Sequence, residues 1–222
     1  MSGPNTGSTN TVDQLLGHTN GPESPVQDRE VTRARSSAYI VHGNYDRLDQ
    51  MCDSIATAGL VQVEDGTDET DVSNEIHRRV HNYLTSLYSY NEQVRDTLSR
   101  HLTEDIHKGY FLPDQDNTGA PEYVQRLTFL WGLRNDFQHN DYWCLRVEHE
   151  ATRDGYDYYH LRFQKQFFNA TPKGDLDSAG DYLAHSPDSD QEYPLPYIGD
   201  FHRNLFNQFE RDFDEWCSLD SN

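Results

Sequence analysis

The sequence predicts a mainly α-helical protein, and three patterns carry that prediction. Apolar residues recur at helical spacing from Ser73 to about residue 106, and an aromatic stripe repeats every three or four residues near the C-terminus. Between these two segments the apolar period changes to two, which is typical of a β-hairpin. We therefore expect a helical protein that carries one added β-hairpin and ends in an amphipathic helix.

The length and the N-terminal composition predict one domain behind a disordered leader. A chain of 222 residues is long enough to bury one good core. Residues 1–37 are rich in Gly, Ser, Thr, Asn and Pro and show almost no apolar periodicity, so burial there would not offset the entropy cost of ordering them. We expect a disordered leader over residues 1–37 and a single domain over residues 38–217.

The charge of the chain is strongly acidic. The formal net charge is −20, with 15 Arg against 3 Lys and 25 Asp against 13 Glu. Such acidic, lysine-poor surfaces resemble those of proteins from halophilic archaea, and we adopt a halophilic source as a hypothesis. At molar salt the screening length falls to about 3 Å, so only groups at the contact decide whether a nucleic acid binds. The net charge therefore does not exclude an RNA partner.

The cysteines and the hydropathy predict a cytoplasmic protein. Cys52, Cys144 and Cys217 are odd in number and form no Cys-x-x-Cys pair, which fits neither a disulfide framework nor a zinc knuckle. No run of 18 apolar residues occurs, and the first residues lack the basic and apolar regions of a signal peptide. We expect a reducing cytoplasm and no membrane partner.

The first half of the domain is expected to contain two helices joined by a strand and an acidic loop. Helical spacing predicts a helix over residues 44–59, and residues 60–63 are predicted as a short strand. After an acidic loop over residues 64–70, the longest helix begins at residue 73. A helix that runs to residue 106 is long for a globular protein, so we predict a break near residues 99–103.

Two histidines on this long helix, His77 and His81, are four residues apart and could share a metal ion. With nearby carboxylates they would suit a metal-dependent hydrolase. Both lie on the flank of the apolar stripe, however, and no third ligand is apparent. The default interpretation is that they are ordinary surface histidines, and we predict no metal and no other cofactor.

The next predicted helix, residues 121–139, carries a short motif of charged and polar side chains. Leu127 and Phe137 belong to its apolar stripe, and Arg134 falls near the centre of that stripe. His139 follows Arg134 by five positions, which on an ideal helix places the two side chains about 140° apart. They can meet only if the helix loosens or if a second chain completes the site.

A permanent cation near an imidazole suits phosphate chemistry. The guanidinium of Arg134 would hold a phosphate while the imidazole of His139 moves a proton near neutral pH. The opposing interpretation is a structural Arg inside a helical protein, balanced by one of the many carboxylates of this chain. The residues alone leave both interpretations open.

The C-terminal part is predicted to contain the β-hairpin and the aromatic helix. Alternation with period two on both sides of the turn signal Arg153-Asp154-Gly155 predicts a hairpin over residues 143–168. One face should pack on the helices, while Arg146, His160, Arg162 and Gln164 should face water, and a basic face that contacts RNA is the alternative. After an exposed connection, residues 198–217 are predicted as an amphipathic helix. Its apolar stripe consists of Ile198, Phe201, Leu205, Phe209, Phe213 and Trp216.

The helix over residues 121–139 resembles the motif helix of the HEPN superfamily, small helical domains whose signature is an Arg, four to six residues and then a His. Here the signature reads Arg134-Asn135-Asp136-Phe137-Gln138-His139, with a polar residue directly after the Arg. The helix before it, over residues 80–95, also looks like the helix that packs beside the motif in that family. The resemblance covers roughly residues 72–145 and implies an HEPN-like antiparallel helical bundle.

In that family, members are usually homodimers whose paired motifs line a cleft, and many are metal-independent ribonucleases of toxin–antitoxin, antiviral or RNA-processing systems. The resemblance implies that Arg134 binds the scissile phosphate and that His139 moves the proton of the ribose 2′-OH or of the leaving 5′-oxygen. Asn135 and Gln138 would orient the reacting groups or the RNA. The implied partners are RNA, a second copy of the chain and an antitoxin or other regulatory protein.

Other members of the family have the fold without catalysis, so the second hypothesis is a non-catalytic HEPN-like module for binding or dimerisation. In that case Arg134 and His139 would only brace the interface. Replacing His139 by Ala separates the two hypotheses. An enzyme should lose cleavage while it stays a folded dimer, whereas a brace should lose stability or dimerisation.

Overall fold

In the computed structural model, the described residues are 22, 24–52, 60–102, 122–139, 145–163 and 194–219. Within these ranges most residues are helical, and one small antiparallel sheet accompanies the helices. The elements are α1 (Asp28–Asp49), β1 (Leu60–Glu64), α2 (Glu69–His101), α3 (Glu122–His139), β2 (Leu145–Arg153), β3 (Tyr156–Phe163), α4 (Pro194–Asp200), a π-helical segment (Phe201–Phe206) and α5 (Asn207–Ser218). We call Phe201–Phe206 the π-segment.

Helix α1 begins earlier than predicted and covers residues 28–37, which we expected to be disordered. The backbone N–H of Gln27 donates to the carboxylate of Glu30 at 3.1 Å and so caps the first turn. After the buried Glu30, the apolar face of α1 starts with Ala34 and Ala38. The prediction of a disordered leader is wrong over residues 28–37, because a stripe that begins with small alanines lacks the large apolar residues that signal a helix in the sequence.

Helix α1 also ends earlier than the predicted helix over residues 44–59. The carbonyl of Met51 accepts a hydrogen bond from the backbone of Gln62 in β1 at 3.0 Å, and Cys52 forms an isolated β-bridge with Val61. The chain after Asp49 therefore pairs with the sheet and does not continue the helical stripe. The rest of the predicted helix, residues 53–59, lies outside the described residues.

Helix α2 is the long helix that the sequence predicts. The side chain of Asp68 accepts from the backbone N–H of Thr70 at 2.9 Å, so the helix starts at Glu69, four residues before the predicted start. It ends at His101, where the next residue, Leu102, is extended. The helix is therefore interrupted within residues 99–103, where we predicted a break, and residues 103–106 of the predicted helix lie outside the described residues.

The predicted hairpin is present, and β1 adds a third strand to it. Strands β2 and β3 pair antiparallel, and Asp154 (φ 55°) and Gly155 (φ 79°) form the turn between them. Strand β1 pairs antiparallel with the other edge of β3, so the strand order is β1-β3-β2. Tyr159 and Leu161 are buried in the core and Arg146 is exposed, as the alternation predicts. The side chain of His160, which we expected to face water, is only 14 % exposed, and Gln164 lies outside the described residues.

The C-terminal helix contains a wider turn that the sequence does not predict. The backbone N–H of Asn207 donates to the carbonyl of His202, five residues back, which defines the π-segment. This turn rotates the apolar stripe by one position, so that Phe206 is fully buried and Leu205 only half-buried. The expected place of Leu205 in the core is therefore wrong by one residue. The other predicted stripe residues are all buried: Ile198, Phe201, Phe209, Phe213 and Trp216.

The three long helices share one core. Helix α2 contacts α1 on one side and α3 on the other. Near the start of α3, the hydroxyl of Tyr123 donates to Asn91 of α2 at 3.0 Å, and its ring stacks on Phe209 of α5 at 4.2 Å between centroids. Buried side chains of all the described helices and strands belong to a single cluster. None of the described helices is long and apolar enough to cross a membrane.

Two of the cysteines are half-buried free thiols. Burial raises the pKa of Cys52 and of Cys217 to about 12. Both thiols are therefore uncharged and weakly reactive at neutral pH, because the thiolate is the nucleophilic form. Cys144 lies outside the described residues.

Candidate functional site

The motif helix α3 keeps regular α-helical geometry from Glu122 to His139. The helix therefore does not loosen between Arg134 and His139, which was one of the two ways in which these side chains could meet. The side chains of Asn135, Gln138 and His139 lie outside the described part of the structure, so the roles that the sequence predicts for them stay predictions.

Arg134 lies at the interface between α2 and α3, as its place on the apolar stripe predicts. The guanidinium carbon is 4.3 Å from the centre of the Tyr88 ring on α2, a cation–π contact. On α3 it is flanked by two buried side chains, Leu133 and Phe137. Such a contact is worth about 1 kcal/mol, and it gives the cation a fixed position in partly buried surroundings.

Two imidazoles of α2 lie in the same interface, and the sequence interpretation of both is wrong. The ring centroids of His77 and His81 are 6.1 and 6.2 Å from that of Phe137, and both side chains are half-buried. They are not ordinary surface histidines. The reason is that α2 lies between two neighbouring helices, so residues on the flank of its main stripe face α3 instead of water.

The surroundings of His81 favour its neutral form. Burial and the positive charge of Arg134 both lower the pKa of His81 below its ordinary value. Burial likewise lowers the pKa of His77. A neutral imidazole can accept a proton at neutral pH, so His81 meets the requirement for a general base beside a cation. The sequence did not reveal this pairing because the two residues lie on different helices.

Each of these histidines has a hydroxyl group within hydrogen-bond distance of one ring nitrogen. Ser73 Oγ lies 3.3 Å from His77 Nδ1, and Thr85 Oγ1 lies 3.5 Å from His81 Nε2. Among the described residues, no group of three or more His, Cys, Asp or Glu side chains is placed to hold a metal ion. A metal-dependent hydrolase at His77 and His81 therefore lacks a ligand set in the described part of the chain.

A groove opens between α1 and α2 beside His81. Its volume is about 300 Å³, at the lower end of the range of small-molecule sites. We call it the α1–α2 groove. It is lined by Ser37, Ile40, Asn44, His81, Asn82, Thr85, Ser86 and Ser89. Six of these eight residues carry a hydroxyl or amide group, although most of the exposed wall is apolar, and one end reaches the imidazole that lies near Arg134.

A second cluster of titratable side chains, which the sequence analysis missed, joins α1 to the C-terminal helix. His42 Nε2 lies 2.7 Å from Glu210 Oε2, and His42 Nδ1 lies 3.2 Å from His202 Nε2. His202 is buried in the π-segment, where its ring stacks on Tyr45 at 3.8 Å between centroids. Its Nδ1 lies 3.4 Å from the hydroxyl of Tyr83. No spacing in the sequence reveals this cluster, because its members come from three helices.

The protonation states of this cluster follow from its contacts. The hydrogen bond that His42 Nε2 donates to the carboxylate of Glu210 raises the pKa of His42. Burial, together with the charges of His42 and Arg203, lowers the pKa of His202 to about 3. His42 is therefore the imidazole of the pair that binds a proton more readily, and in its charged form it donates to both Glu210 and the neutral His202. Because both nitrogens of His42 are occupied, the cluster holds helices together and does not act as a proton acceptor.

The arginines of the hairpin are paired with an acidic side chain. A carboxylate oxygen of Glu148 lies 2.8 Å from Arg162 Nε, and the other lies 3.5 Å from Arg146 Nε. Since the carboxylate offsets part of their charge, this pairing does not favour the hairpin as an RNA-binding face.

Comparisons with known proteins do not assign this site. No family model matches the sequence, and neither the curated proteins nor the solved structures give a match. The resemblance to the HEPN superfamily therefore rests on the motif and the long helix before it, and the halophilic hypothesis rests on composition.

Proposed function

We propose that this chain is a metal-independent endoribonuclease of HEPN type that acts as a homodimer. The observation that carries the proposal is the place of Arg134, whose guanidinium is held on the Tyr88 ring next to the neutral imidazole of His81. Cleavage of a phosphodiester by its own 2′-OH develops negative charge on the phosphate and moves a proton. A fixed cation close to a proton acceptor serves both needs.

In the proposed reaction, Arg134 binds and orients the scissile phosphate and stabilises the charge that develops on it. His139 takes the proton from the ribose 2′-OH or protonates the leaving 5′-oxygen, and Asn135 and Gln138 orient the RNA or the reacting groups. His81 is an additional candidate for the proton acceptor. The product carries a 2′,3′-cyclic phosphate, and DNA is not cut because it lacks the 2′-OH.

The homodimer is part of the proposal because one copy of α3 does not bring the pair together. On a regular helix Arg134 and His139 point about 140° apart. Two copies of α3 that face each other would place the Arg of one chain near the His of the other. We propose RNA and a second copy as partners, with an antitoxin or other regulatory protein as a further one, in a toxin–antitoxin, antiviral or RNA-processing role.

The test is cleavage of RNA at molar salt with a chelator present. It compares the wild type with Arg134→Ala, His139→Ala and a charge control, Arg211→Ala, because Arg211 is exposed on α5, where it bonds to Gln208. We expect the wild type and the control to leave cyclic phosphate ends, and the two motif variants to be slower by about 100-fold or more. Equal cleavage by the wild type and Arg134→Ala would overturn the proposal.

A non-catalytic module for binding or dimerisation is the second candidate, and the contact between Arg134 and Tyr88 favours it as well. A guanidinium on an aromatic ring can brace two helices without any chemistry. For such a module, the wild type cleaves no RNA and Arg134→Ala lowers the unfolding midpoint or the dimer fraction. Thermal unfolding and analytical ultracentrifugation of the same variants therefore separate the two candidates.

A further inference from the structure

A small basic pocket lies between α1 and α2, at one end of the α1–α2 groove. Its volume is about 180 Å³, and it is lined by Asn44, Arg47, Arg78, Arg79 and Asn82. The whole chain has 18 basic residues against 38 acidic ones, so three arginines around one cavity reverse the charge locally. The two asparagines also line the groove that contains His81, so the basic pocket and the groove are continuous.

One carboxylate organises two of these arginines. Glu75 accepts from Arg78 at 2.7 and 2.6 Å and from Arg79 at 2.7 Å. These hydrogen bonds hold the pKa of Glu75 at about 2, so the carboxylate stays charged. Arg79 also donates to the backbone carbonyl of Arg47, which links its guanidinium to α1. The positions of the Arg78 and Arg79 guanidiniums in the pocket are therefore held by these contacts.

The pocket keeps an excess of positive charge and of hydrogen-bond donors. Three guanidiniums less one carboxylate leave a local charge of +2. Each guanidinium has five N–H donors, and the contacts above use four of the ten on Arg78 and Arg79. Arg47 is exposed and makes no ion pair within the described part of the chain. The remaining donors can converge on an oxyanion.

The size of the pocket selects the class of ligand. A water molecule occupies about 30 Å³ in the liquid, whereas small-molecule sites usually measure roughly 300–1,000 Å³. The pocket, at about 180 Å³, is too small for a whole nucleotide and large enough for one phosphate group. Guanidinium groups match phosphate oxygens in charge and in bidentate geometry. We propose that the basic pocket binds a phosphate group.

The adjoining groove indicates the source of this phosphate. The basic pocket and the groove together follow α2 from Arg78 to Ser89, about 16 Å at the helical rise, and pass His81 beside Arg134. An RNA strand in the groove places one backbone phosphate in the basic pocket while another lies near Arg134. This choice of source rests on the proposed function, and a free phosphate is the alternative source.

The test is a calorimetric titration at constant molar KCl with two ligands. One ligand is inorganic phosphate, and the other is a single-stranded 2′-O-methyl oligonucleotide, which has the same backbone phosphates but cannot be cut. Arg47→Gln removes one charge from the basic pocket. Arg33→Gln removes the same charge from an exposed site on the same helix, outside the pocket, and serves as the matched control.

We expect Arg47→Gln to bind inorganic phosphate about tenfold more weakly or worse, because one charge-assisted hydrogen bond is lost. Arg33→Gln should bind like the wild type. Equal affinity of all three proteins for inorganic phosphate would overturn the proposal, and so would an absence of phosphate binding by the wild type.

The oligonucleotide separates this proposal from the proposed function. Loss of affinity for both ligands in Arg47→Gln supports an RNA backbone phosphate as the occupant. In a second outcome, Arg47→Gln loses affinity for inorganic phosphate, and the wild type neither binds the oligonucleotide nor cleaves RNA. This outcome supports a free phosphate as the occupant and overturns the proposed function. If the wild type cleaves RNA but does not bind inorganic phosphate, the proposal that the basic pocket binds phosphate fails and the proposed function does not.

Discussion

The imidazole of His202 loses its ability to take up a proton when the chain folds. It is 3 % exposed, lies against the ring of Tyr45 and next to the charged His42, and its pKa is about 3. In the unfolded chain the same group titrates near its ordinary value of 6.5. Between about pH 3 and pH 6.5, His202 therefore binds a proton in the unfolded chain but not in the folded chain. His202 therefore lowers the stability as the pH falls through this window.

Replacing His202 by Phe should flatten the acid side of the stability profile. At neutral pH the variant should be less stable by about 1–2 kcal/mol, because Tyr83 and His42 lose a hydrogen-bond partner. Between about pH 6.5 and about pH 4, the wild type should lose on the order of 2 kcal/mol relative to the variant. Urea unfolding at molar salt measures both effects.

The control for this experiment is His149→Phe, since the side chain of His149 is 42 % exposed on the hairpin. This control should keep the acid slope of the wild type. Parallel profiles for the wild type and His202→Phe would contradict a neutral, buried His202.

Among the elements, α1 depends on a buried acidic residue that ties it to the end of α2. Glu30 is 4 % exposed and accepts from Arg100 Nη1 at 2.7 Å and from His101 Nε2 at 3.0 Å. Burial alone would raise the pKa of Glu30, but these hydrogen bonds and one from the backbone of Gln27 lower it to about 2. The carboxylate therefore contributes fully above its ordinary pKa near 4.5, and this contribution is lost as the pH falls toward 2.

Glu30→Gln should accordingly destabilise the protein in a pH-dependent way. At neutral pH we expect a loss on the order of 2 kcal/mol, because Arg100 and His101 keep their places without a carboxylate to accept their hydrogen bonds. The difference from the wild type should shrink as the pH approaches about 2. Thermal unfolding across the acid range measures it, with Glu215→Gln on the exposed side of α5 as the control. If the stability difference between the wild type and Glu30→Gln does not change with pH, the charged Glu30 does not link α1 to α2 as described.

Elements with their own local pattern were predictable, and elements that depend on distant contacts were not. The end of α2, the hairpin and its Asp154-Gly155 turn lie where periodicity and turn residues place them. The early start of α1 was missed because its buried face begins with alanines. The pairing of β1 with β3 was missed because it joins segments far apart in the chain.

The candidate sites divide in the same way. The place of Arg134 at a helix interface follows from its position on the stripe of α3. The approach of His81 to Arg134, the contact of His42 with His202, and the basic pocket all depend on how helices pack. Residues that come together only through helix packing show no regular spacing in the sequence, so the sequence does not reveal these contacts.

For the whole molecule, the net charge of −20 makes stability depend on salt. Self-repulsion is screened over about 10 Å at 0.1 M salt but over about 3 Å at 1 M. We expect the unfolding midpoint to rise by on the order of 10 °C from dilute buffer to molar KCl, which corresponds to a few kcal/mol for a chain of this size. Circular dichroism at both salt concentrations measures the midpoint. The same midpoint in both would reject the halophilic hypothesis.

The π-segment gives the C-terminal helix one residue more than a continuous α-helix would need over the same path. Each residue of an α-helix turns the chain by about 100°, so the extra residue rotates the apolar stripe of α5 against that of α4. The segment is thus equivalent to a one-residue insertion in a helix that is otherwise uninterrupted from Pro194 to Ser218. Deleting one residue inside Phe201–Phe206 would bring the apolar stripes of α4 and α5 into line on a continuous α-helix. Deleting one residue within α4 or α5 would instead rotate part of a stripe out of the core. The π-segment is therefore the part of this helix that best tolerates a change in length.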